Sequence, residues 1–264
     1  TQIRSAGDPM QNLVRLEMQM REREIVGPRL YAAGPIFTAP KGHPVSTWFN
    51  HQEDLAEAFT YQETDINVAR NHVAEIHQTG MEGVKIVYDD LGGLVTKLDS
   101  AIAKAIIEQA RELNMWVAIQ TGTNADMQQA ARWGVDMIEY ASRDLIDSVT
   151  IRYLLDQKVT VIPSAFVSQV IPKEMVKQWY QRGAMAENIR LLDQAGVEIA
   201  AGASTGRGMS FGESLIAEMN QLAEFGMDAQ RVLQAATLNG PKALQVDDLY
   251  GTLEEGKVAD ILIV

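Results

Sequence analysis

Lys85 is the residue whose type and setting most directly suggest chemistry. It lies inside the apolar run "GVKIVYD", which begins at Gly83. A buried lysine can have a lowered pKa and form a Schiff base with a carbonyl substrate. Tyr88 or Tyr140 would then move the protons. The favoured alternative is an ion pair between this lysine and a neighbouring carboxylate. The candidate carboxylates are Asp89, Asp90 and Glu139.

Ser204 is a second candidate, because "GASTG" fits the pattern G-x-S-x-G. A nucleophilic serine of that type needs a turn between a strand and a helix, and a histidine later in the chain. The preceding apolar run is present. However, all four histidines precede the serine. They are His43, His51, His72 and His77. The sequence therefore disfavours a serine nucleophile.

The remaining residue types give little support to a metal site. The chain contains no cysteine, which excludes thiolate ligands and disulfides. His72 and His77 are five residues apart, so a helix would direct them to different faces, unlike the i, i+4 pair of a zinc helix. We expect both to be surface residues.

Apolar runs that are typical of strands recur along the chain and alternate with segments of helical periodicity. The runs are "RLYAAGPIF", "GVKIVYD", "MWVAIQ", "GVDMIEY", "KVTVIPSAF" and "GVEIAAG". Gly134 and Gly196 each follow a helical segment, as a helix C-terminus favours. With the opening "TQIR", about seven βα units are indicated. An eight-unit barrel and a doubly wound sheet both stay open at this point, although no Gly-rich phosphate loop supports the latter.

Composition restricts the partners. The 264 residues carry a formal net charge of -12, which argues against nucleic acid or an anionic membrane. No apolar run approaches the roughly 20 residues that span a bilayer. The expected partners are a small-molecule substrate or ligand and, in an assembly role, further copies of the chain.

A series of segments resembles the metal-dependent amidohydrolase superfamily, in the branch with imidazolonepropionase and the Xaa-Pro dipeptidase-like amidohydrolases. These segments include "GPRLYAAGPIFTAPKGHP", "GVKIVYDDLGG", "GVDMIEYASRDLID", "GVEIAAGASTG" and "AATLNGPKAL…GTLEEGKVADILIV". The resemblance implies a (β/α)8 barrel with one or two divalent metals, usually zinc, at the carboxyl ends of its strands. Those metals activate a water molecule, and an aspartate handles the proton. His43, in "KGHP", matches a loop that reaches toward the pocket.

The resemblance also shows where this chain departs from the family pattern. Lys85 stands at the position of the family's carboxylated lysine. Gln120 and Tyr140 replace the histidines of the fifth and sixth barrel strands, and Ser204 replaces the aspartate of the eighth. Amide and phenol groups are weak metal donors at neutral pH. We therefore expect no catalytic zinc, with Lys85 and Ser204 as catalytic candidates and the other substituted positions as pocket residues.

The first barrel strand, with its His-x-His, would precede Thr1. We therefore expect an incomplete (β/α)8 barrel over residues 1–248 and a strand of a flanking β-sandwich over residues 249–264. Both ends fall in strand-like runs, which predicts a piece of a longer protein. The function expected from the resemblance is hydrolysis of amide, cyclic amide or peptide-like C–N bonds, weak or absent without metal. The alternatives are a non-catalytic binding or assembly protein and a Lys85 Schiff-base lyase.

Overall fold

The computed structural model describes residues 2–170, 182–203, 210 and 212–261. The chain divides into two compact units, Thr1–Gln120 and Thr121–Val264. Among the described residues, no helix has both the length and the apolar character that crossing a bilayer requires.

The first unit alternates strands and helices. Its elements are β1 Gln2–Arg4, α1 Met10–Arg21, β2 Arg29–Tyr31, β3 Ile36–Thr38, α2 Glu53–Phe59, β4 Thr60–Gln62, α3 Ile66–Gln78, β5 Gly83–Tyr88, α4 Ser100–Glu112 and β6 Trp116–Thr121, whose last residue begins the second unit. Strands β1 and β2 form a parallel pair. The other strands lie in the order β4-β3-β5-β6, with β3 parallel to both of its neighbours.

The second unit contains fewer strands. Its described elements are α5 Asn124–Trp133, β7 Met137–Glu139, α6 Ser148–Asp156, β8 Thr160–Ile162, α7 Val167–Val170, α8 Arg182–Ala195, α9 Glu213–Glu224, α10 Ala229–Thr237 and α11 Asn239–Ala243. Strands β7 and β8 are parallel. The α/β class and the parallel pairing predicted from the alternating pattern are therefore confirmed.

Local chemistry sets the ends of these elements. Asp65 caps α3 by accepting hydrogen bonds from Asn67 N and Val68 N at 2.8 and 3.1 Å. Asp99 caps α4 in the same way. Gly134 ends α5 at a φ of 75°, in the left-handed region, as its place after the helical segment predicts.

Two segments differ from the sequence-based expectation. The run beginning at Arg29 forms two strands, because Gly34 at a φ of 65° and Pro35 interrupt it. The run "GVEIAAG" makes only a single parallel bridge, between Ile199 and Val161. Of the segment expected to belong to a flanking sandwich, the structure describes residues 249–261, which contain turns and no strand, and the sandwich over residues 249–264 stays a prediction.

Candidate functional site

Lys85 lies in the middle of β5, with 3% of its surface exposed. Successive side chains of a strand point to opposite faces of the sheet. Val87 therefore shares the face of Lys85, whereas Tyr88 points to the other face. The ammonium of Lys97 lies 4.3 Å from the centre of the Tyr88 ring. Alternation thus separates Lys85 from Tyr88, one of the two tyrosines expected to assist it.

Strand β6 brings Gln120 to the face of Lys85. Trp116 N donates to the carbonyl oxygen of Glu82 at 3.0 Å, which places Trp116 beside Gly83. A Cβ atom at Gly83 would lie only 2.0 Å from the indole ring, so these two residues share a face. Because the pairing advances by one residue on both strands, Gln120 lies beside Val87 and shares the face of Lys85. Gln120 is 6% exposed. The structure therefore joins two of the predicted site residues on one face.

The loop that carries His43 is anchored at the carboxyl end of the neighbouring strand. The pairing of Phe37 with Ile86 directs Thr38 to the face of Lys85. Thr38 Oγ1 donates to the carbonyl oxygen of His43 at 2.7 Å. The buried imidazole of His43 has its Nδ1 2.6 Å from Thr47 Oγ1. The loop of this predicted pocket residue therefore begins on the same face as Lys85.

Tyr140 belongs to the second unit and directly follows β7. Its φ is 66°, which is uncommon for a residue other than glycine. Its backbone N donates to the carbonyl oxygen of Ile162 at 2.9 Å, and its side chain is half-buried. Ser204, the other catalytic candidate, lies outside the described residues.

A fully buried asparagine fixes the loop after Tyr140. Asn188 Nδ2 donates to the carbonyl oxygens of Ser142 and Asp144 at 3.1 and 2.8 Å. Ile146 N donates to Asn188 Oδ1 at 3.0 Å. Two of the three bonds, those to Ile146 and Ser142, are buried, so removing either partner would leave an unsatisfied polar group. The loop is therefore held by a side chain more than 40 residues away in sequence.

The loop after β8 is held by Glu218, a residue that the sequence analysis missed. Its two carboxylate oxygens accept from Ala165 N at 2.9 Å and Phe166 N at 2.7 Å. Burial raises the pKa of Glu218 to about 7, against the lowering effect of these two donors. The spacing of Glu218, four residues after Ser214 and four before Leu222, is the sequence signal that could have placed it on the buried face of α9.

The residues at the family's metal positions do not fit zinc. Zinc in proteins is held by imidazole, thiolate and carboxylate groups. Gln120 supplies an amide and Tyr140 a phenol, whereas Lys85, at the position of the family's carboxylated lysine, would be a ligand only after carboxylation. Within the described residues, no group of three or more His, Cys, Asp or Glu side chains is placed to hold a metal ion.

Comparison with known proteins agrees with the motifs. The profile of the amidohydrolase family matches residues 3–264. A stretch of 82 residues is 34% identical to 5-methylthioadenosine/S-adenosylhomocysteine deaminase from Teredinibacter turnerae, and it covers 28% of this chain and 18% of that protein.

Solved structures share the fold over nearly the whole chain. A Xaa-Pro dipeptidase with bound methionine in its active site is 20% identical, with a TM-score of 0.81, and the match covers 98% of this chain and 68% of that one. Ochratoxinase of A. niger is 19% identical, with a TM-score of 0.83, over 98% and 64% of the two chains. The chain thus spans about two thirds of the length of these structures and much less of the curated relative.

Proposed function

The chain belongs to the amidohydrolase family, and we propose that it derives from a hydrolase of amide, cyclic amide or peptide-like C–N bonds whose pocket no longer holds zinc. The observation that carries this proposal is the pairing of Lys85 with Gln120 on one face of the sheet. At this face the family's imidazole is replaced by a carboxamide, which does not bind a metal strongly. Hydrolysis that depends on a metal-activated water is therefore weak or absent in this sequence.

The same two residues suit binding of an amide-type molecule. The carboxamide of Gln120 can donate to a ligand carbonyl and accept from a ligand N–H. The ammonium of Lys85 attracts a carboxylate, and burial strengthens such an interaction. Small dipeptides and lactams carry these groups. We therefore propose that the pocket retains such ligands without cleaving them.

A thermal-shift screen with small dipeptides and lactams tests the binding. We expect a rise in Tm with at least one member, reduced in Gln120→Leu and retained in Glu57→Gln, an exposed control on α2. A parallel assay for hydrolysis of the same compounds should give no more than weak turnover. Absence of any ligand response would contradict the binding, and rapid zinc-dependent turnover would contradict the loss of metal.

A metal-free lyase that uses Lys85 as a Schiff base is the second candidate. The 3% exposure of Lys85 favours it, because burial disfavours the charged form of a lysine. Borohydride reduction in the presence of carbonyl compounds decides the question by mass spectrometry. An adduct at Lys85 would support the lyase. Absence of an adduct would contradict the lyase and would favour a structural role for Lys85.

We also propose that the complete protein closes a (β/α)8 barrel and adds a flanking β-sandwich. The support is the likeness in fold to the dipeptidase and to ochratoxinase, both of which are longer than this chain. The expected first strand would supply the His-x-His pair. The mass and N-terminal residue of the natural protein test this proposal, and a mature chain that begins at Thr1 would contradict it.

A further inference from the structure

The first unit contains a cavity of about 610 Å³ whose lining includes none of Lys85, Gln120 and His43. It opens beyond the carboxyl ends of β3 and β4 and is lined by the first residues of α3 and by the segment before α4. The ring of Tyr61, in β4, stacks on His72 of α3. The volume lies in the range of small-molecule sites. Within the part of the chain that is described, none of the site residues predicted from the sequence lines this cavity.

The defining group of the cavity is the carboxylate of Glu63, which is 4% exposed. Glu63 N donates to the carbonyl oxygen of Thr38 at 2.8 Å, so β4 sets its position. His72 Nδ1 lies 2.6 Å from Glu63 Oε1, and because a carboxylate only accepts, this nitrogen carries the proton. In the part of the chain that the structure describes, no hydrogen bond is made by Oε2.

The ring of His72 is itself held in place. Its centre lies 4.0 Å from that of Tyr61, with 7° between the two planes. The Tyr61 hydroxyl donates to Glu75 Oε2 at 3.2 Å. Burial, aided by the charge of Glu75, raises the pKa of Tyr61 further above its ordinary value, so the phenol keeps its proton. Glu63 is thus oriented before any ligand arrives.

The charges around the cavity favour a cation. Three carboxylates, those of Glu63, Asp65 and Asp99, line it, against the single ammonium of Lys97. Asp65 and Asp99 each use one oxygen to cap a helix, which offsets the positive ends of α3 and α4. A metal ion is disfavoured, because the described residues contain no cluster of three or more metal-binding side chains.

We propose that this cavity binds a small organic amine through its ammonium group. The ammonium donates to Glu63 Oε2, forming a charge-assisted hydrogen bond. The side chains of Ile102 and Pro40 provide apolar surface for the carbon chain of the amine. The site does not depend on the function proposed for the Lys85 pocket.

Calorimetric titration of the full chain with n-butylammonium chloride tests the proposal, with 1-butanol and butyrate as matched neutral and anionic probes. We expect saturable binding of the ammonium alone, weakened at least about tenfold in Glu63→Gln because the charge-assisted bond is lost. Glu57→Gln, which removes an equal charge from an exposed position, should bind like the wild type.

A second variant covers the case in which Glu63→Gln fails to fold. Thr96 lines the cavity and is exposed, so Thr96→Trp should fill the opening without disturbing the core and abolish binding. The ring ¹⁵N signals of His72 should shift on titration of the wild type. Binding of 1-butanol equal to that of the ammonium, equal affinity in Thr96→Trp, or no binding at all would overturn the proposal.

Discussion

At the residue scale, burial changes how readily a charged side chain ionises. Glu218 is almost fully enclosed, and both of its carboxylate oxygens accept hydrogen bonds from backbone N–H groups of the loop after β8. Such a group stabilises the loop while its own ionisation is disfavoured. The free energy of unfolding should therefore depend on pH between about 4.5 and 7, above the range in which most carboxylates titrate.

The folded-state pKa of Glu218, about 7, lies above its unfolded value of 4.5. The stabilising contribution is thus complete below pH 4.5 and is lost as the pH rises through about 7. We expect the free energy of unfolding to fall by up to roughly 3 kcal/mol between these values. In Glu218→Gln this slope should disappear. Chemical denaturation at several pH values measures it.

Glu255→Gln is the matched control, since Glu255 is exposed in the segment after α11. Its slope should equal that of the wild type. A slope that persists in Glu218→Gln would show that another group titrates and that the carboxylate is already ionised in the folded chain.

At the element scale, the apolar runs predict β1 to β3 and β5 to β8, but they give no signal for the short strand β4. The contacts between elements could not be predicted. His72 was expected at the surface, but it pairs with Glu63 across the turn between β4 and α3. That contact depends on where the helix packs on the sheet. Likewise, the spacing of 52 residues between Glu218 and Phe166 carries no signal in a single sequence.

The loop of His43 offers a prediction at this scale. A Cβ atom at Gly42 would lie 2.6 Å from Thr38 Oγ1 and 2.9 Å from the carbonyl oxygens of Ala39 and Thr96. Because two of these contacts are backbone atoms, Gly42→Ala should cost about 1–3 kcal/mol in unfolding free energy. Gly240→Ala, where nothing lies within 4 Å, should be neutral or slightly stabilising. Equal denaturation midpoints for the two variants would contradict this packing.

At the scale of the whole molecule, the chain shares its fold with solved structures such as the Xaa-Pro dipeptidase, and the replacement of metal-binding side chains is our proposal. The motifs predicted the family, which the profile over residues 3–264 confirms. They also located Lys85 and Gln120, which the structure brings to one face. The sequence could not reveal that Tyr88 faces the other way until the bounds of β5 were known, since a shift of one residue inverts every side chain.

Zinc content of the natural protein, measured by mass spectrometry after extensive washing, tests the loss of the metal most directly. Gln120→His serves as a comparison that restores one imidazole. We predict far less than one zinc per chain in the wild type, because the amide of Gln120 and the phenol of Tyr140 cannot replace imidazoles as ligands. One or two tightly held zinc ions per chain, lost on substitution of Lys85 by methionine, would contradict the account.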